Sequence, residues 1–94
     1  MLEAVSECHK NSIIHRDIKL DNFLVKKINE DSGELNVKLA DFGIACQYNP
    51  SEPPTLKCGT KEYVAPEVFT ADNYDFKVDC YSMGIILFEL LSNF

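Results

Sequence analysis

Several features are missing from this chain, and each gap removes a class of function. Its four cysteines, Cys8, Cys46, Cys58 and Cys80, are widely and irregularly spaced, and no C-x-x-C pair occurs. That spacing supports neither a zinc site nor a dithiol redox motif. No block of Lys and Arg is present, and the net charge is -6. Nucleic acid and anionic membrane surfaces are therefore poor candidates for the main partner. The acidity reads simply as an aid to solubility. The longest apolar run, Met83 to Phe88, falls far short of the ~20 residues that cross a bilayer. The opening Met1-Leu2-Glu3-Ala4-Val5-Ser6-Glu7 is acidic, unlike the basic start of a secretory signal. Free thiols in a reducing, intracellular and cytoplasmic setting are the expectation. No internal repeat is visible, and 94 residues allow one small domain at most.

What is present centres on His15-Arg16-Asp17-Ile18-Lys19-Leu20-Asp21-Asn22. An imidazole, a guanidinium, carboxylates, an ammonium and an amide fall within one short stretch. Apolar Ile13-Ile14 precedes it and Phe23-Leu24-Val25 follows. So polar a run cannot lie in a core as continuous helix or strand. It reads as a loop between two short strands, either chemically active or merely solvated surface.

The flanking segments have simple signatures. Leu2, Val5 and Cys8 recur at helical spacing, which predicts a helix to Lys10 ended by Asn11-Ser12. So short a helix is marginal alone and reads as the tail of a longer one. Val37-Lys38-Leu39-Ala40 alternates as a strand, and Asp31-Ser32-Gly33 marks a turn in the polar stretch Lys26 to Asn36. Pro50, Pro53 and Pro54 exclude a helix between Tyr48 and Thr55. A long proline-rich loop in a small domain is usually functional or mobile. Pro66-Glu67-Val68-Phe69 can start a short helix with Pro66 at its first position. Asp75 is a plausible N-cap for a last helix from Phe76 to about Ser92.

That last helix is apolar nearly all round, with only Lys77, Asp79 and Glu89 charged. Such a helix is buried on every side in a finished domain. Burying one large apolar side chain contributes about 1.5–3 kcal/mol. Leaving several in water would remove the ~5–15 kcal/mol net stability of a small domain. The expectation is that its packing partners lie on sequence outside these residues, and that the chain is a fragment or truncated product.

Four motifs in order then resemble the eukaryotic protein kinases of the serine/threonine type. His15 to Asn22 is similar to their catalytic loop H-R-D-x-K-x-x-N. Asp41-Phe42-Gly43 is similar to D-F-G, Ala65-Pro66-Glu67 to A-P-E, and Asp79 to Gly84 to D-x-W/Y-S-x-G. The resemblance spans almost the whole chain but well under half of a kinase domain. It implies an α+β fold class: a fragment of the mostly helical lower lobe, with short β-hairpins around the catalytic loop. Residues 1–94 would hold the end of helix E, the catalytic loop, the activation segment and helix F.

The resemblance also implies roles. Asp17 would accept or orient the proton of the substrate hydroxyl, and Lys19 would place its ammonium near the γ-phosphate of ATP. Asn22 and Asp41 would be the ligands of Mg²⁺, Leu24 would touch the adenine, and Gly43 would allow the tight turn after Phe42. His15 would pack on Phe42 as scaffolding, although a satisfied core histidine needs no such explanation. Asp79 would accept hydrogen bonds from the catalytic-loop backbone, a role compatible with a first-turn carboxylate facing the helix dipole. Thr60 would bond to Asp17 and Lys19. Lys19 with Gly59-Thr60 implies a protein substrate presenting Ser or Thr, since tyrosine kinases have Ala or Arg near the Lys19 position. Arg16 would pair with a phosphorylated residue of the activation segment. The usual place, three before Gly59, is Leu56, which leaves Thr55 as the expected phosphosite and Ser51 as the weaker one.

Other family features have no counterpart here. No G-x-G-x-x-G, no V-A-I-K lysine and no partner glutamate occur. The arginine that pairs with Glu67 in the family would lie beyond Phe94, leaving Glu67 unpaired. The isolated chain is therefore expected not to transfer phosphate without the missing lobe and downstream helices. A truncated, non-catalytic interaction protein is the competing reading. A small-molecule phosphotransferase fits less well, because those enzymes usually lack Gly59-Thr60 and Ala65-Pro66-Glu67.

Overall fold

A computed structural model describes residues 1–29 and 31–92. Helix α1 (Leu2–Lys10) leads into strand β1 (Ile13–Ile14), and β2 (Phe23–Asn29) and β3 (Glu34–Leu39) follow. Strand β4 (Cys46–Gln47), the short helix α2 (Glu67–Thr70) and helix α3 (Lys77–Leu91) complete the order. The three helices and β1 fall close to their sequence signatures, whereas β4 lies in a stretch that the sequence marks as irregular. Asn11 caps α1, and Ser12 takes the left-handed turn beyond it at φ 60°. The Asp75 carboxylate accepts the Lys77 N–H at 2.9 Å, so it caps α3 even though regular helix begins at Lys77. Pro66 stands just before α2 rather than as its first residue.

The strands pair in two antiparallel ribbons, β1 with β4 and β2 with β3. In the second, Phe23 faces Leu39 and the ladder continues to Asn29 opposite Glu34, with an irregularity between Lys27 and Asn29. The sequence pattern confines these strands to Phe23–Val25 and Val37–Ala40. The structure corrects this: both run into the polar stretch, and β3 stops at Leu39. Leu24, Val25 and Leu35 are all more than half exposed, so this ribbon is open to solvent and accepts polar side chains without a desolvation cost.

Two small cores organise the chain. One gathers Ile14, Ala65, Val68, Tyr74 and Val78; the other gathers Val5, Ile18, Phe23 and Ile86. Helix α3 supplies a residue to each. So does the stretch from Ile14, the end of β1, to Ile18 in the polar loop, whose two isoleucines are 0% and 1% exposed. His15, Arg16 and Asp17 are thus strung between two buried isoleucines. Against this, Leu87, Phe88, Leu90 and Leu91 at the far end of α3 are exposed, and Val78, Asp79, Ser82 and Ile86 are its buried residues. Among the described residues, no helix is long and apolar enough to cross a membrane.

Candidate functional site

Asp79 anchors the polar loop. Its side chain is 1% exposed, and its oxygens accept the N–H of His15 at 2.8 Å and of Arg16 at 3.0 Å. His9 Nε2, reaching across from α1, lies 3.0 Å from the same carboxylate. A buried carboxylate is stable only when its oxygens are engaged this way. The bonds also hold Arg16 at φ 70°, a left-handed conformation that costs a non-glycine residue about 1–2 kcal/mol. The expected role of Asp79 is therefore visible as geometry.

His15 is fully buried and joins the loop to the D-F-G stretch. Nε2 donates to the Ala40 carbonyl at 2.9 Å, and Nδ1 accepts the Asp17 N–H at 3.1 Å. Together these bonds require the Nε2–H tautomer. The His15 ring meets Phe42 edge-on, with centroids 4.7 Å apart. The pairing implied by the resemblance is present, and His15 acts as scaffold.

The candidate reactive groups follow from this frame. Asn22, 7% exposed, donates from Nδ2 to the Asp17 carbonyl at 2.7 Å, and its own carbonyl accepts the Ala40 N–H at 2.8 Å. Asp17 and Asn22 are thereby joined directly, and both are linked through Ala40 to neighbouring Asp41. Asp41 sits at φ 56° and accepts the Gly43 N–H at 3.2 Å, a turn that aspartate tolerates. A Cβ on Gly43 would approach Asp41 Oδ1 to 3.1 Å, so glycine there leaves the carboxylate room. Leu24 lies on β2 opposite Lys38, exposed and two residues beyond Asn22.

Thr60 closes the site from the other side by donating to Asp17 Oδ1 at 2.7 Å. Among the described residues, no hydrogen bond joins Thr60 to Lys19, so that half of the expectation is corrected. Lys19 instead lines a cavity of about 400 Å³ with Asp21, Thr60, Glu62, Tyr63, Ile85 and Glu89. Glu89 pushes the Tyr63 phenol up to about 12.

The structure adds residues that the sequence left unmarked. His9 contacts Asp79 and packs against Phe76 with tilted rings, centroids 4.9 Å apart. Tyr74 accepts a hydrogen bond from Arg16 NH1 at 3.3 Å and donates its own to the Leu56 carbonyl. An aromatic residue within the polar run Asp72-Asn73-Tyr74-Asp75 was the available signal for the latter. Burial alone would lower the Arg16 guanidinium, but the Tyr74 hydroxyl and nearby thiols outweigh it and hold it above its ordinary value. Burial pushes the thiols of Cys8 and Cys46 up as well, which makes them poor nucleophiles. Among the described residues, no Lys, Arg or His lies within ion-pair distance of Glu67.

The whole of residues 1–94 matches the family described as protein kinase domain. The serine/threonine-protein kinase zyg-8 of Caenorhabditis elegans is 45% identical over 94 residues, covering 98% of this chain and 11% of that protein. The serine/threonine-protein kinase SIK1 of Rattus norvegicus is 40% identical over 92 residues, covering 97% of this chain and 11% of the relative. The serine/threonine-protein kinase CG17528 of Drosophila melanogaster is 45% identical over 91 residues, with 97% and 12% covered. The chain thus spans only about a tenth of the length of these curated relatives.

Proposed function

The chain belongs to the protein kinase domain family, and from that premise we propose that it is the catalytic-loop portion of a serine/threonine kinase. Residues 1–94 run, on this reading, from the end of helix E through the catalytic loop and activation segment to helix F. The observation that carries it is the bond from Thr60 Oγ1 to Asp17 at 2.7 Å. It sets a carboxylate beside a polar opening on a loop that Asp79 holds rigid. The competing reading, a non-catalytic interaction protein, is not favoured by kinase relatives that match nearly the whole chain.

Phosphoryl transfer depends chiefly on positioning and charge stabilisation. Asp17, with one oxygen held by Thr60, orients the acceptor hydroxyl and takes up its proton. Lys19 lies two residues along and offers its ammonium to the transferring phosphate of ATP. The donor chemistry suits Mg²⁺, which prefers oxygen ligands and keeps several waters. The Asn22 amide nitrogen is committed to Asp17, so the amide oxygen remains to face a cation. Asp41 has one oxygen on the Gly43 N–H and a second that no donor among the described residues meets. Held by Asn22 and Asp41, such an ion would supply positive charge against the phosphates. Leu24, exposed beside Asn22, offers apolar surface to the adenine. The acceptor is a serine or threonine of a protein, and four free thiols support a reducing, cytoplasmic setting.

The test is transfer of labelled phosphate from Mg·ATP to matched Ser, Thr and Tyr peptides by the full-length protein. Ser or Thr labelling, with Tyr at least a hundredfold slower, is expected. Labelling of Tyr alone, or of none, contradicts the reading. The 94-residue chain alone is expected to label nothing, since it carries no G-x-G-x-x-G and no V-A-I-K lysine.

A further inference from the structure

By resemblance to the family, Arg16 would pair with a phosphate on the activation segment. Its guanidinium already has partners. Nε donates to the Ile44 carbonyl at 2.6 Å and NH1 to the Tyr74 hydroxyl at 3.3 Å. Among the described residues, no carboxylate pairs with it. Tyr74 is 5% exposed and belongs to the same core as Ile14, the residue just before His15.

From that fixed position Tyr74 holds the activation segment at several points. Its N–H donates to the Pro54 carbonyl at 3.2 Å, and its hydroxyl donates to the Leu56 carbonyl. Cys58 Sγ lies 3.9 Å from the same hydroxyl. Next to these contacts, the Lys57 ammonium donates to the Phe69 carbonyl at 2.9 Å at the end of α2. Further along, a Cβ on Gly59 would come within 3.2 Å of the Arg16 carbonyl, so the two backbones touch there. Thr60 then reaches Asp17. Leu56, at the usual phosphate position, is apolar and cannot be phosphorylated.

We propose that Tyr74 is a positioning residue that ties the activation segment to the catalytic loop, its neutral phenol bonding both Arg16 and the Leu56 carbonyl. The phenol does from within what a phosphate would do from outside. It gives Arg16 an acceptor and fixes Leu56, so that Gly59 and Thr60 arrive at Asp17 already ordered. The site then needs no phosphate on Thr55 or Ser51 to be competent. The inference rests on the kinase reading for its catalytic consequence, but not for its structural one.

The test compares full-length wild type, before and after phosphatase treatment, with Thr55→Ala, Tyr74→Phe, Arg16→Lys and the Arg16→Lys/Tyr74→Phe double variant. Two readouts are taken: steady-state kinetics, and amide hydrogen exchange over residues 57–60 and α3. Phosphatase treatment and Thr55→Ala are expected to leave kcat within twofold. Tyr74→Phe keeps the ring in the core and removes only the hydroxyl. It is expected to lower kcat at least fivefold with the KM for ATP within threefold. It should also speed exchange at 57–60 at least fivefold while α3 exchange stays unchanged. In the Arg16→Lys background the further loss from Tyr74→Phe should shrink below twofold, because the bridge is already broken. A Tyr74→Phe protein with smaller changes than these, or a tenfold loss of kcat on dephosphorylation, overturns the proposal. If no form transfers phosphate, the kinase reading fails, and the exchange comparison alone decides whether the bridge exists.

Discussion

The two ends of helix α3 obey different rules. Its first turn presents Asp79, a charge 1% exposed, to three donors on other segments. Its last turns present Leu87, Phe88, Leu90 and Leu91 to solvent. Buried charge at one end and exposed hydrocarbon at the other invert the usual preference. The polar end is held because backbone N–H groups and an imidazole replace the water that the carboxylate lost. The apolar end is covered only in part: Leu87 and Leu90 border a groove with Met1 and Leu2, and Phe88 and Leu91 stand in solvent. Function in this chain is built from the polar end, where one carboxylate sets the backbone of His15 and Arg16.

The comparison can be pressed hardest at Asp79. Asp79→Ala leaves the His15 and Arg16 N–H groups buried without acceptors, each costing about 1–3 kcal/mol. A total loss of at least about 3 kcal/mol in denaturation, with kinase turnover reduced at least about a hundredfold, is expected. A loss under about 1 kcal/mol would mean that the loop does not depend on this anchor. Next comes the apolar contrast within α3. In the full-length protein, Ile86→Ala, at a site 1% exposed here, should cost about 2–5 kcal/mol in chemical denaturation. Leu91→Ala, at a site 77% exposed here, should cost at least about 1 kcal/mol, because the far end of α3 is expected to pack against sequence outside these residues. A loss under about 0.5 kcal/mol for Leu91→Ala would contradict that expectation.

The smallest effect concerns Tyr63, whose phenol Glu89 pushes up to about 12. The unfolded phenol titrates near 10. The folded state therefore holds its proton more tightly. This contribution to stability is whole below about pH 10 and is lost as pH rises through about 12. Stability measured across that window should fall less in Tyr63→Phe than in wild type. An identical fall in both would remove Glu89 as the cause.

The sequence disclosed those parts of the site whose partners are close along the chain or whose side chains carry the chemistry. Asp17 and Asn22 stood out because charge and amide groups crowd into one short run between apolar residues, and Asp41 came from the resemblance of Asp41-Phe42-Gly43 to D-F-G. The role of Asp79 came from the same motif pattern, and so did the packing of His15 on Phe42. The connections through main-chain carbonyls were hidden, since every residue has one. Ala40 bonding to His15, Ile44 to Arg16 and Leu56 to Tyr74 all belong to this kind. The β1–β4 pairing was hidden too, because strands of two residues show no alternation. Lys26 and Asn36 read as loop because polar residues signal turns, yet an open ribbon accepts them as strand. His9 carries no signal in the sequence, and only the fold brings it to Asp79, 70 positions away.

The central claim is that Asp17 and Asp41 serve one phosphoryl-transfer site. Single-turnover transfer from Mg·ATP to a serine peptide, measured in full-length wild type, Asp17→Asn and Asp41→Asn proteins, tests it most directly. Each variant should slow transfer by about 10²–10⁴-fold while its melting temperature stays close to that of wild type. Transfer at the wild-type rate in either correctly folded variant would contradict the claim.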